Sequence, residues 1–229
     1  MSARYAIYYA PAPGSALHEA ASAWLGRDAA TGAVLARAPE PDLADLDLDA
    51  LTADPRHYGF HATLKAPFGL AEDQAEADLI EALAVFAAGR PAFVADIAPQ
   101  GLSAFIAFRL VAPSPAMQAL HEDCVRAFEL YRAPLSDADI ARRRKAALTP
   151  DQDARLLAYG YPYVFEDFRF HMTLTGAVRD EALRARIVAA LQRRFAPVSG
   201  PHHFDRLSLF RQETRDAPFT ILAQAPFGG

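Results

Sequence analysis

Apolar and polar residues alternate along the chain in two periods, and the switches between them divide it into short elements. Arg4 to Ala10 is rich in Tyr and Ile and reads as a strand, closed by Pro11-Ala-Pro-Gly14. Ser15 then caps a helix with Leu17, Ala21, Trp24 and Leu25 on one side. Residues 31–56, rich in Ala, Asp and Pro, predict a loop with one short helical turn. A period of two returns at Phe60 to Ala66. Leu79, Ile80, Leu83 and Phe86 then set a helix over 72–88, ended by Gly89 and Pro91. Strands follow at 93–97 and 102–111, the second so apolar that it belongs at the centre of a sheet. Pro115 opens a helix with the stripe Met117, Leu120, His121, Cys124 and Phe128. Helices are predicted at 138–148 and 150–159, a strand at 168–175, and a helix carrying Leu183, Ile187, Leu191 and Phe195. Two last strands, around 203–211 and 219–225, form a hairpin.

This order is α+β, and a unit of strand, helix and strand pair occurs twice. We expect one bilobal domain over 1–229, with a helical insertion at about 132–160. Its halves are related by a pseudo-twofold axis, antiparallel sheets line a central cleft, and helices lie outside.

The two alternating strands that begin the units share more than a period. Phe60-His61-Ala62-Thr63-Leu64-Lys65-Ala66 recurs as Phe170-His171-Met172-Thr173-Leu174-Thr175-Gly176, 110 residues later. Given the His, Thr and Leu content of the chain, chance predicts about 0.03 copies of His-x-Thr-Leu and roughly 0.0004 of two. Period-two alternation puts Phe60, Ala62 and Leu64 on one face and His61, Thr63 and Lys65 on the other, with the same division in the second copy. At about 3.3 Å per residue, each His stands roughly 6.6 Å from its same-face Thr, within reach of one phosphate. His61 and His171 are therefore candidate acid/base groups, and Thr63 and Thr173 candidate phosphate ligands. Lys65, Arg169 and Thr175 share the parity of the histidines and are candidate substrate contacts, although either cation can instead snorkel at a rim.

Charge and composition narrow the chemistry. A net charge of −5 and a pI near 5.8 are wrong for generic binding to long nucleic acid, and leave a small phosphorylated metabolite or nucleotide as the partner. No apolar run approaches the length of a membrane span, the N-terminus lacks a signal core, and Cys124 is the only cysteine. These features predict a cytoplasmic protein without disulfides. Neither motif brings a second strong metal ligand at fixed spacing, and Gly59 breaks the helical geometry a His57–His61 pair would need, so neither metal nor cofactor is expected. His18 reads as a helix-surface residue, His202-His203 as a solvated turn, and His121 as a satisfied core or boundary histidine. Cys124 lies on an apolar stripe and is no nucleophile. The run Arg142-Arg-Arg-Lys145 is either a solvated helix face or a phosphate clamp that the insertion folds over the cleft. There is no Walker loop, nucleophile elbow or dinucleotide fingerprint.

With its two His-x-Thr-Leu tetrads the chain resembles the two-histidine (2H) phosphoesterase superfamily. Arg4-Tyr-Ala-Ile-Tyr-Tyr-Ala-Pro11, Tyr58 to Phe68, Gly160-Tyr-Pro-Tyr-Val164 and Phe170 to Gly176 are similar, more narrowly, to a bacterial branch associated with phosphonate metabolism and carbon–phosphorus lyase genes. The resemblance covers essentially the whole chain. It implies a bilobal fold, His61 and His171 as catalytic residues, and Thr63 and Thr173 on the phosphate. The expected reaction is hydrolysis of a small cyclic phosphodiester, and the association of the branch with phosphonate metabolism makes a ribose cyclic phosphate, 5-phosphoribosyl 1,2-cyclic phosphate, the leading specific substrate. A non-catalytic nucleotide or metabolite binder, and an RNA-end 2′,3′-cyclic phosphodiesterase or ligase, are the alternatives.

Overall fold

Strand β1 (Arg4–Tyr9) is apolar on both sides, because both sides are covered. In the computed structural model, which describes residues 3–229, Tyr5, Ile7 and Tyr9 turn into the main core, while Ala6 and Tyr8 pack with Phe210 and Phe219 on the other face. Met1 and Ser2, which open the N-terminal stretch read above, lie outside the described residues. Helix α1 (Ala16–Leu25) follows, with the Ser15 hydroxyl accepting from the His18 N–H as expected of an N-cap. The segment to residue 58 is mostly irregular, with two short helices, α2 (Leu48–Leu51) and α3 (Ala53–Tyr58).

Strand β2 (Ala62–Phe68), helix α4 (Glu76–Ala88), β3 (Phe93–Leu102), β4 (Phe105–Leu110) and helix α5 (Pro115–Ala127) come next. Then come α6 (Asp137–Arg143), α7 (Pro150–Tyr159), β5 (Met172–Thr173), α8 (Glu181–Arg194), β6 (Gly200–Phe204), β7 (Arg206–Gln212) and β8 (Thr220–Pro226). The eight strands form one sheet in the order β6-β3-β4-β5-β2-β1-β7-β8. Every neighbouring pair is antiparallel.

The two His strands, β2 and β5, are adjacent at the middle, so the two expected sheets are one sheet with four strands to each side of the β2–β5 boundary, and the fold is α+β. The helix after each His strand covers the outer strands of one half: α4 packs on β7 and β8, α8 on β3 and β4. The apolar faces of both His strands join the core under these helices, with Ala62, Leu64, Met172 and Leu174 all buried. Trp24 of α1 reaches across and donates its indole N–H to the Leu174 carbonyl at 2.8 Å. None of the helices formed by the described residues is long and apolar enough to cross a membrane.

Three element boundaries differ from the expectation for identifiable reasons. β3 runs through Pro99 because its partner β6 ends opposite Ile97, so the missing N–H forfeits no ladder bond. The strand expected at 168–175 shrinks to two residues. The Arg169 carbonyl is taken by a histidine ring, and the N–H groups of Leu174 and Thr175 both converge on the Ile106 carbonyl, at 2.9 and 3.2 Å. The strand expected at 203–211 breaks at Asp205 into β6 and β7, which belong to opposite halves of the sheet.

Candidate active site

β2 and β5 pair through Ala62 and Met172. One step to either side of that pair, the antiparallel register sets His61 opposite Thr173 and Thr63 opposite His171. Direct cross-strand neighbours have Cβ atoms about 5 Å apart, and the diagonal between the two histidines spans roughly 7 Å. In backbone register each Thr therefore lies opposite the other tetrad's His.

The two rings are held alike. His61 Nδ1 lies 2.9 Å from the Gly59 carbonyl, and His171 Nδ1 lies 2.7 Å from the Arg169 carbonyl, in each case two residues back. A carbonyl only accepts, so each Nδ1 carries the proton and each Nε2 is left free as the acceptor in the neutral ring. Thr63 Oγ1 stands 3.4 Å from His61 Nε2. Gly59 is required where it is: its φ is +78°, and a Cβ there would stand 2.5 Å from the Ala29 Cβ. Two joined cavities open on this face. One, about 520 Å³, is lined by His61, Thr63 and Thr173; the other, about 380 Å³, by His171; and Thr63, Ala66 and Tyr161 belong to both walls.

Burial dominates the electrostatics. His61 stacks on Tyr8 with ring centroids 3.9 Å apart and planes 21° apart. Desolvation, together with the nearby His171 and against the Gly59 hydrogen bond, lowers its pKa to about 4. His171, beside Phe105, is also lowered, by desolvation first and then by Arg109. The larger cavity also gathers four arginines: Arg4 of β1, Arg142 and Arg143 of α6, and Arg215 from the β7–β8 connection. Of the two readings of the run at 142–145, the cleft therefore receives its first two members, whereas Arg144 pairs with Asp153 on the outside. Sequence reasoning missed Arg4, Arg215 and Tyr8 as cleft residues. The signal for two of them was present, since Arg4 and Tyr8 share one face of β1 by period two.

The predicted substrate contacts divide. Arg169 lines the His171 cavity at its exposed rim. Lys65 does not reach the cleft: its Nζ is buried, 2.7 Å from Glu129 and 3.0 Å from the Val125 carbonyl. The cause is an irregularity in β2. Tyr8 pairs with Thr63 but Ile7 with Lys65, so one step on β1 spans two on β2, and the alternation slips by one residue at Leu64. Thr175 is likewise no substrate contact. It is fully buried, accepts from the Ile106 N–H at 3.1 Å and donates to the Gly176 carbonyl at 2.9 Å.

Two further histidine readings need correction. His18 is buried against Asp28, 3.1 Å away, and is not a surface residue. His202 and His203 lie within β6, where His202 meets the Tyr9 hydroxyl. His121 is buried and accepts from the Phe165 N–H at 3.0 Å, and Cys124 is buried. Among the described residues, no group of three or more His, Cys, Asp or Glu is placed to hold a metal ion.

A family described as "Protein of unknown function (DUF1045)" matches residues 63–220, which include Thr63, His171 and Thr173. The chain belongs to this family. Among curated proteins, the DUF1045 chain is 39% identical over 231 residues to a ribose 1,5-bisphosphate phosphokinase PhnN of Janthinobacterium sp. (strain Marseille), a match covering 99% of the chain and 51% of the relative. A protein of the same name from Laribacter hongkongensis (strain HLHK9) is 33% identical over 222 residues, covering 95% of the chain and 50% of the relative. The chain spans about half the length of these relatives. Similar solved structures include TT0787 of Thermus thermophilus, at 13% identity and a TM-score of 0.47, covering 99% of this chain and 98% of the other. E. coli LigT complexed with 3′-AMP follows, at 11% identity and a TM-score of 0.44 over the whole of both chains. In this DUF1045 structure both His-x-Thr-Leu tetrads occupy adjacent central strands and share one cleft.

Proposed function

We propose that this protein hydrolyses a small cyclic phosphodiester by paired histidine acid/base catalysis. The observation that carries the reading is the twin arrangement of His61 and His171 on adjacent strands: each Nδ1 is tied to the carbonyl two residues back, which leaves each Nε2 as the acceptor, and the Thr63 hydroxyl lies 3.4 Å from that of His61. In the reaction, water attacks phosphorus and gives a proton to His61 Nε2. The bond to the leaving alkoxide breaks, and that oxygen takes a proton from His171 Nε2, while Thr63 and Thr173 hold the non-bridging oxygens. His61 is assigned as the base because burial against Tyr8 keeps it neutral. The product is a phosphomonoester.

A phosphorylated ribose is the substrate class we favour. The PhnN relatives carry ribose 1,5-bisphosphate in their name, and a single sugar suits an acidic protein with four arginines gathered in one cleft. The kinase activity in that name is not carried over to a chain spanning half of those proteins and containing no Walker loop. Phosphorus NMR of the purified protein with a panel of cyclic phosphates tests the reading. Conversion to a monoester is expected, with higher kcat/KM on a ribose cyclic phosphate than on an RNA oligomer ending in a 2′,3′-cyclic phosphate. Ligands that bind and stay unconverted across the panel would make the cleft a binding site without catalysis. Preference for the oligomer, with affinity lost steeply in salt, would leave the chemistry standing and replace the substrate.

A further inference from the structure

The arginines are in excess of what a single cyclic phosphodiester, with one negative charge, requires. Arg4, Arg142, Arg143 and Arg215 come from three separate parts of the chain, and the cavity they share with His61 has no carboxylate in its wall. Among the described residues, the one carboxylate bonded to any of the four is Asp139, 2.8 Å from both Arg142 and Arg215. Arg4 has the neutral Gln212 side chain, 2.8 Å from its Nε, and the Phe219 ring at 5.7 Å, and Arg143 lies over the Tyr161 ring at 4.8 Å. Burial and the fields of Arg215 and Arg142 lower the Arg4 pKa. A half-buried guanidinium among like charges with no anionic partner is unfavourable unless a ligand supplies the anion.

Position along the cleft separates this cluster from the reacting phosphate. None of the four lines the cavity that holds His171, yet all four line both the His61 cavity and a further one beyond it, which contains neither motif. The order is therefore His171, then Thr63 and His61, then the arginines. Along β1, Arg4 is four residues from Tyr8, roughly 13 Å at strand rise, and an arginine side chain bridges about half of that. The Arg4 guanidinium thus stands about one sugar's length from Tyr8, on whose ring His61 stacks.

We propose that Arg4, Arg142, Arg143 and Arg215 form a subsite for a second, non-reacting phosphomonoester, so that the substrate is a small sugar bearing a phosphate at one end and the cyclic ester at the other. The inference rests on the hydrolase reading above for the identity of the reacting end. A phosphomonoester dianion offsets most of the uncompensated charge and presents three oxygens to forked donors.

Two measurements test it. The first is calorimetric binding of ribose 5-phosphate, which has the monoester and no scissile ring. Wild type and His61→Gln should bind it, and the double variant Arg142→Gln/Arg143→Gln, on an exposed helix of seven residues, should bind roughly 10- to 100-fold more weakly. Arg215→Gln, in a surface connection, serves as an independent variant, and thermal melting checks that each is folded. The second is kcat/KM for a ribose cyclic phosphate with and without a phosphate on C5. Wild type should prefer the phosphorylated compound, and the arginine variants should lose that preference by about tenfold or more, chiefly through KM. Equal affinity in wild type and the folded variants, or no preference for the C5 phosphate, would overturn the subsite. Arginine-dependent binding of ribose 5-phosphate without turnover of either cyclic ester would instead retain the subsite and remove the hydrolase reading.

Discussion

At the scale of single residues, the site depends on which nitrogen of each histidine carries a proton. The carbonyls of Gly59 and Arg169 decide this, and both are backbone groups. His61→Ala and His171→Ala should each lower kcat/KM on a cyclic phosphate roughly 10²- to 10⁴-fold, with the double variant losing far less than the product because the pair acts as a unit. A His61→Ala enzyme of full activity would remove the assignment. Thr63→Val and Thr173→Val should be milder. The pH profile follows from the two depressed pKa values. The base must be neutral, so activity falls as pH drops through about 4, where His61 protonates; the acid must be protonated, so activity falls again as pH rises above the lowered pKa of His171. The free enzyme's kcat/KM should therefore be bell-shaped with its optimum on the acid side of about 6.5. An optimum at pH 8 would reverse this account of the protonation states. Since no metal-ligating cluster occurs among the described residues, activity should survive EDTA, and loss on chelation restored by zinc or manganese would replace acid/base chemistry with metal catalysis.

At the scale of elements, the slip in β2 has a measurable result. Because the alternation shifts at Leu64, Lys65 becomes the buried partner of Glu129, which also holds Arg132 at 2.6 Å. Glu129→Ala leaves the Lys65 ammonium buried with only the Val125 carbonyl, and should destabilise the fold by about 3 kcal/mol in chemical denaturation. Lys65→Met removes the charge and keeps the volume, so it should cost less and leave KM for the substrate near the wild-type value. A large KM effect in a folded Lys65→Met protein would return Lys65 to the cleft. Helix α6 was legible as a helix from its pattern, but its position over the cleft was not, since nothing in a period of 3.6 says where an insertion docks. Arg143 over Tyr161 and Arg215 against Asp139 hold it there.

At the scale of the whole molecule, three histidines whose burial outweighs their partners tie stability to pH. His61, His121 and His202 are each lowered to about 4, with desolvation as the first cause. Their folded pKa values lie below the unfolded value near 6.5, so the unfolded chain binds more protons in between. Stability is fully present above about 6.5 and is lost as pH falls through about 4. Thermal melting should show Tm dropping across that window and flat above it, and a Tm that rises on acidification would contradict the burial. The sequence by itself determined the α+β class, the main helices with the Ser15 cap of the first, and the two His-x-Thr-Leu strands, because periodicity, capping and motif duplication are local properties that neighbouring residues express directly. Only the tertiary structure decided that the His strands pair with each other, that Lys65 and Thr175 turn inward, and that four arginines from three distant parts of the chain meet beside His61. Strand register, the slip in alternation and the docking of helix α6 are set by contacts between segments far apart in the chain, and no local pattern encodes those.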